Sequence, residues 1–147
     1  MSSAKASETH ITPFSFTPYE VKEGEEYMNE AQVEHFRRIL QNWKGELMRE
    51  VDRTVHHMQD EAANFPDPND RATQESEFSL ELRTRDRERK LLKKVQQSIA
   101  RIDSGEYGWC EETGEPIGVP RLLARPTATL SLEAQERREM RQKLYGD

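Results

Sequence analysis

The stretch Asn64-Phe65-Pro66-Asp67-Pro68-Asn69-Asp70 decides the fold, because it is an acidic, proline-broken bend between two long helical patterns. Pro66 and Pro68 cannot continue a helix interior. Asp67 before Pro68 is the pairing expected of an N-cap followed by proline in the first turn. Before the bend, Val33, Phe36, Leu40, Trp43 and Leu47 recur at alternating spacings of three and four, and Val51, Val55, Met58 and Ala62 carry the stripe onward. After it, Phe78, Leu82, Leu92, Val95, Ile99 and Ile102 mark a second seam, which stops at Ser104-Gly105, where glycine can end a helix. Two such helices with a short connection fold back antiparallel.

The start of the first helix is also legible. Asn29 can cap it, Gln32 stands at the capping-box position, and Met28 and Val33 can close a hydrophobic staple. A helix of roughly 45 Å with so narrow an apolar stripe must pack mainly on a partner helix. In the second helix the seam thins: no apolar residue lies between Leu82 and Leu91, while Arg83, Arg85, Arg87, Arg89, Lys90, Lys93 and Lys94 face only Asp86 and Glu88. A solvated face paired with the acidic first helix accounts for most of these charges. The cationic excess makes the stretch a candidate anion site.

The flanks differ in texture. Residues 1–28 form an N-terminal arm rich in Ser, Thr, Glu and Pro, without sustained periodicity, which Phe14, Phe16 and Tyr19 could pin down. Residues 29–104 are the hairpin, with its tip at 64–70. In residues 105–130, Tyr107-Gly108-Trp109-Cys110, the turn Thr113-Gly114-Glu115-Pro116 and Ile117-Gly118-Val119 read as two short strands and a turn, followed by an irregular loop from Arg121 to Thr129. Residues 131–147 read as a last helix capped by Ser131, with Leu132, Met140 and Leu144 for packing. The globule and last helix are expected to dock on the base of the hairpin.

Composition bounds the function. With 33% apolar and 34% charged residues and a mean hydropathy of −1.01, a thick multilayer core is excluded and a two-helix seam is favoured. A net charge of −6 argues against a duplex DNA binder held by phosphate neutralisation and favours a protein partner. No run of about 18 apolar residues spans a membrane, and the first 28 residues lack the apolar core of a secretory signal, so a cytoplasmic location is expected. A lone Cys110 rules out an internal disulfide.

Several stretches together resemble the DksA/TraR regulators that bind RNA polymerase. They are Gly24-Glu25-Glu26-Tyr27-Met28-Asn29-Glu30-Ala31-Gln32, Glu50-Val51-Asp52-Arg53-Thr54-Val55, Met58-Gln59-Asp60-Glu61-Ala62-Ala63-Asn64-Phe65-Pro66-Asp67-Pro68, Phe78-Ser79-Leu80-Glu81-Leu82-Arg83, Arg85-Asp86-Arg87-Glu88-Arg89-Lys90 and Arg125-Pro126-Thr127. The likeness covers about residues 20 to 130. It implies a mostly α fold: a long antiparallel coiled-coil hairpin, a small zinc-finger-like globule and a C-terminal helix. It also implies that the hairpin enters the secondary channel of RNA polymerase while the globule and last helix hold the rim. By the resemblance, the tip positions matching the family's functional residues are Asp67, Asp70 and Ala72, with Asn64 nearby at the same active-site-facing tip, and an acidic tip suits the neighbourhood of a catalytic metal ion. Capping alone is the plainer role for the two aspartates.

The resemblance implies a second site, for the alarmone guanosine tetraphosphate (ppGpp), at Arg87, Leu91, Lys94 and Arg125. One family cation is replaced by Gln135, with Arg137 and Arg138 close by in sequence. A further departure concerns zinc. The family's four cysteine positions read Cys110, Thr113, Ser131 and Ala134, and neither Thr nor Ala is a normal ligand. His10, His35, His56 and His57 lack finger-like spacing to Cys110, and the adjacent His56 and His57 face apart on a helix.

The expectation is therefore a zinc-free globule held by Tyr107, Trp109, Ile117, Leu122, Leu123 and Leu130. With it goes a monomeric, non-enzymatic regulator that acts on polymerase with ppGpp as effector, shortens the life of promoter open complexes and binds no specific DNA sequence. The alternatives are a secondary-channel transcript-cleavage or elongation factor, in which Asp67 and Asp70 position a metal, and a generic coiled-coil adaptor.

Overall fold

A computed structural model describes residues 16–63 and 68–146, with the backbone alone for residues 62, 63 and 68–72. Four helices follow in order: α1 (Glu30–Ala63), α2 (Pro68–Ser104), α3 (Val119–Ala124) and α4 (Leu132–Tyr145). The fold is mostly helical, with α1 and α2 forming the antiparallel hairpin. Contacts divide the chain into two compact units, Met1–Asn42 with Gln97–Asp147, and Trp43–Gln96.

The unit Trp43–Gln96 is a length of hairpin. Gln74 Nε2 donates to the Glu61 carbonyl at 3.1 Å, His57 Nδ1 is hydrogen-bonded to Glu81, and the Thr54 hydroxyl donates to Glu88 at 3.2 Å, so numbers fall on one helix as they rise on the other. Leu47, Met58 and Val95 are buried in the seam, with Val51, Val55, Phe78, Leu91 and Leu92 half-buried. Leu82, expected in the seam, is instead 37% exposed. In its turns of α2 the half-buried positions belong to Glu81, Thr84, Arg85 and Glu88, at i, i+3, i+4 and i+7 on one face, and Leu82 is rotated off that face. The α2 side of the seam is therefore polar at its middle.

In the other unit, α1 begins as its sequence demands, with one difference. The Gln32 N–H donates to Asn29 Oδ1 at 2.9 Å, but Gln32 Oε1 accepts from the Met28 N–H at 2.7 Å, one residue before the capping-box position. The shift follows from Met28, whose φ of 55° turns its N–H back toward the helix. Gln32 Nε2 donates to Glu25 at 3.1 Å, so the oxygen and the nitrogen of this almost fully buried amide each have a partner. Glu25 also gathers the Tyr19 hydroxyl, the Lys22 N–H at 2.7 Å and the Asn29 amide at 3.0 Å, which hold its carboxyl down to about 2.

The arm is pinned further by Phe16 and Tyr19, whose rings meet His35 edge-on. Phe14 lies outside the described residues. Phe36, Ile39 and Leu40 form the fully buried floor beneath, and Phe36 meets the Tyr107 ring at 5.8 Å.

The second helix ends as glycine at position 105 predicts. The Gly105 N–H donates to Ile102 O at 3.2 Å and the Glu106 N–H to Arg101 O at 2.9 Å, a Schellman pair made possible by a φ of 81° at Gly105. The two expected strands reduce to a single antiparallel bridge between Trp109 and Pro116, held by Cys110 N–H to Glu115 O and Ile117 N–H to Gly108 O, both 2.8 Å. Proline lacks the N–H that a longer ladder would need. The expected loop from Arg121 begins instead inside α3, where Pro120 stands in the first turn and Leu122 and Leu123 are buried.

Tyr107, Ile117, Val119, Leu130 and Ala134 complete this small core, with Trp109 half-buried at its edge. Ser131 caps α4 as expected, accepting from the Ala134 N–H at 3.2 Å. Leu132, Met140 and Leu144 were expected to pack, yet they are 58%, 57% and 66% exposed. Ala134 is the buried residue of α4, so the helix rests on a small-residue contact and turns its larger apolar side chains outward.

Candidate functional site

Three groups of residues carry the functional expectations. Of the tip, Asn64 and Asp67 lie outside the described residues, and Asp70 and Ala72 are described only as backbone in the opening turns of α2.

The second group lies in the unit Trp43–Gln96. Arg87, Leu91 and Lys94 sit at i, i+4 and i+7 on α2 and so share one face; Arg87 and Lys94 are exposed and Leu91 is half-buried. Pairing of this stretch with the acidic first helix is not what the structure contains. Among the described residues, no cation from Arg83 to Lys94 makes an ion pair. Glu46 and Glu50 of α1 instead pair within their own helix, with Arg49 at 3.1 Å and Arg53 at 3.9 Å. Local partners one turn away cost less side-chain ordering than reaching across. The face thus keeps its positive charge unneutralised.

Arg125 belongs to the other unit, exposed at the end of α3, where its N–H donates to Arg121 O at 2.7 Å. There Gln135 Nε2 donates to Glu139 at 2.8 Å and Arg138 is paired with Glu112 at 2.9 Å, which leaves Arg137 and Arg141 as the exposed arginines of α4 outside any ion pair among the described residues.

The third group is Cys110, Thr113, Ser131 and Ala134. The Thr113 hydroxyl accepts the Glu115 N–H at 3.2 Å, Ser131 Oγ is occupied by the Ala134 N–H, and Ala134, wholly buried, offers a methyl. One thiol, two engaged hydroxyls and a methyl do not fit tetrahedral zinc. Burial pushes the Cys110 thiol up, but the Thr113 hydroxyl and the N–H groups of Ser131, Thr113 and Glu112 together outweigh it and bring the thiol down to about 6. Donors that would surround a metal-bound sulfur here stabilise a bare thiolate.

Two residues that hold this globule together did not stand out in the sequence. The Tyr27 hydroxyl donates to Gly108 O at 2.7 Å and accepts the Gly118 N–H at 2.8 Å, with its ring edge-on to Trp109. Arg101 donates to the carbonyls of Glu106 at 3.0 Å and Trp109 at 2.9 Å, tying the end of α2 to the bridge. No helix among the described residues is long and apolar enough to cross a membrane.

Comparison with known proteins bears on the same regions. The family model described as the N-terminal domain of the DnaK suppressor protein DksA matches residues 32–102, and that of the prokaryotic dksA/traR C4-type zinc finger matches residues 105–139. The chain is 60% identical over 126 residues to the RNA polymerase-binding transcription factor DksA of Escherichia coli K12, covering 86% of this chain and 83% of that one. It is 56% identical over 126 residues to the protein of the same name from Haemophilus influenzae (86% and 87% covered), and 53% identical over 129 residues to that from Caulobacter vibrioides (88% and 91% covered). Among solved structures, transcription factor DksA2 from Pseudomonas aeruginosa matches with a TM-score of 0.76 and 43% identity, over 80% of this chain and 90% of that one.

Proposed function

We propose, from the fact that this chain belongs to the DksA family, that it binds RNA polymerase and regulates transcription without catalysing a reaction itself. The observation that carries this is the joint one of 60% identity to a factor of that name and an antiparallel helical hairpin whose two helices each exceed 30 residues. In finer terms, the hairpin enters the secondary channel tip first, and Asp67 and Asp70 act near the active site to destabilise promoter open complexes, at ribosomal RNA promoters among others.

The effector is ppGpp, bound between polymerase and this protein by Arg87, Leu91, Lys94 and Arg125. Arg87 and Lys94, exposed and outside any ion pair among the described residues, support an anion site, and Arg is suited to bidentate phosphate contact. The globule works without zinc, since its four ligand positions offer one thiolate and its core is built from Tyr107, Leu122, Leu123 and Leu130. The protein acts as a cytoplasmic monomer.

Transcription in vitro from a ribosomal RNA promoter with Asp70→Asn protein tests the reading. Lost inhibition with retained polymerase binding is expected. Undiminished inhibition by the folded variant removes the tip from the mechanism, and shortening of RNA in a backtracked complex by the unaltered protein replaces the regulator with a cleavage factor.

A further inference from the structure

His57 and Glu61 lie four residues apart on α1, one turn from each other on the same face, and Glu81 of α2 stands opposite. One ring nitrogen and one oxygen from each carboxylate lie within 4.8 Å of one another. His57 Nδ1 is hydrogen-bonded to Glu81 Oε2, and His57 Nε2 is 3.7 Å from Glu61 Oε2. The other oxygens, Oε1 of Glu61 and of Glu81, are shut off from solvent with no hydrogen-bond partner. Two carboxylates therefore converge on one imidazole beside the buried Met58, each with one oxygen that accepts no hydrogen bond.

Nearby cations do not resolve this. Arg85, one turn beyond Glu81, makes no ion pair among the described residues, and its own Nε is buried without a partner. With a neutral imidazole the group carries two negative charges, the complement of a divalent ion.

We propose that His57, Glu61 and Glu81 form a divalent metal site that clamps α1 to α2. Imidazole with two carboxylates selects a borderline ion such as Zn²⁺ or Co²⁺ over Mg²⁺ or Ca²⁺, which prefer oxygen alone. Donor distances of about 2.0 to 2.2 Å are reached by small rotations of three side chains that already touch or nearly touch. His57 is 59% exposed, so water completes the coordination shell. The ion displaces the proton that His57 otherwise takes up beside Glu81 and satisfies the carboxylate oxygens left bare. His56, on the neighbouring face and bonded through Nδ1 to its own helix at Asp52 O, takes no part.

The test is Co²⁺ titration of the full-length Cys110→Ser protein at pH 8, followed by visible absorption. This background removes the lone thiolate, and the pH keeps His57 competent. One Co²⁺ per chain is expected, with a rise in melting temperature. Affinity should fall in His57→Gln and in Glu81→Gln by more than the roughly tenfold that losing an outer partner costs. His56→Ala should bind like the parent. Absence of stoichiometric binding in the parent overturns the proposal, as does equal affinity in folded His57→Gln or Glu81→Gln protein, or loss of binding in His56→Ala alone.

Discussion

The hydroxyl of Tyr27 donates to the carbonyl of Gly108, 81 residues along the chain, and at the same time accepts the Gly118 N–H. One side chain of the arm thereby joins the two segments that flank the Trp109–Pro116 bridge. Gly108 has no room for more: its φ is 91°, and a Cβ there would lie 2.7 Å from Met28 Sδ and 3.2 Å from the Tyr27 hydroxyl. Tyr27→Phe keeps the ring against Trp109 but leaves the Gly118 N–H unpaired and removes one of two hydrogen bonds to the Gly108 carbonyl, which the Ile117 N–H still reaches, so a loss of about 1 to 3 kcal/mol is expected in urea unfolding. A loss below a few tenths would mean that water replaces the hydroxyl at no cost.

The Cys110 thiol gives the globule a pH dependence of definite sign. Its folded value of about 6 lies below the ordinary thiol value, so the unfolded chain binds more protons between the two. The stabilisation from this group is fully present above the ordinary value and is lost as pH falls through about 6. Stability measured from pH 6 to 9 should therefore rise more steeply in the parent than in Cys110→Ser, and thiolate absorbance in the folded protein should titrate near 6. Matching slopes would contradict the assignment.

The zinc-free globule makes a separate prediction. In Glu81→Gln protein, which lacks the proposed inter-helix metal site, metal analysis should return no stoichiometric zinc, and a chelator should leave the melting temperature unchanged. One zinc per chain, lost together with structure on chelation, would overturn the zinc-free globule.

The exposed pair on α2 predicts how the effector acts. Arg87→Ala and Lys94→Ala should each leave inhibition without ppGpp near the parent level while reducing the increment that ppGpp adds, because a phosphate contact and not the fold is removed. In vitro transcription with and without ppGpp measures this. An unchanged increment in both variants would move the effector elsewhere.

What the sequence made legible was whatever is local. The stripe from Phe36 to Met58, the Asn29 cap, the Gly105 stop and the Ser131 cap rest on periods and side chains within a few residues, and the hairpin follows from them. The Tyr27 clasp and the Glu25 hub depend on contacts that no period announces. Six-residue α3 is too short to display a period, although Pro120 in its first turn was a usable sign. Leu132, Met140 and Leu144 follow a helical spacing, yet spacing alone does not say whether a face is covered, and here it is not. Of the candidate site, residue identities at Arg87 and Lys94 were legible, but their lack of acidic partners among the described residues was not, because Glu46 and Glu50 turn to Arg49 and Arg53 on their own helix.

The most direct measurement is hydroxyl-radical protection mapping of the full-length chain bound to RNA polymerase, with and without ppGpp. Protection of residues 64–70 and of the Arg87–Lys94 face in a stoichiometric complex is the predicted result. A saturated complex in which residues 64–70 stay as reactive as in the free protein would contradict tip-first entry into the channel.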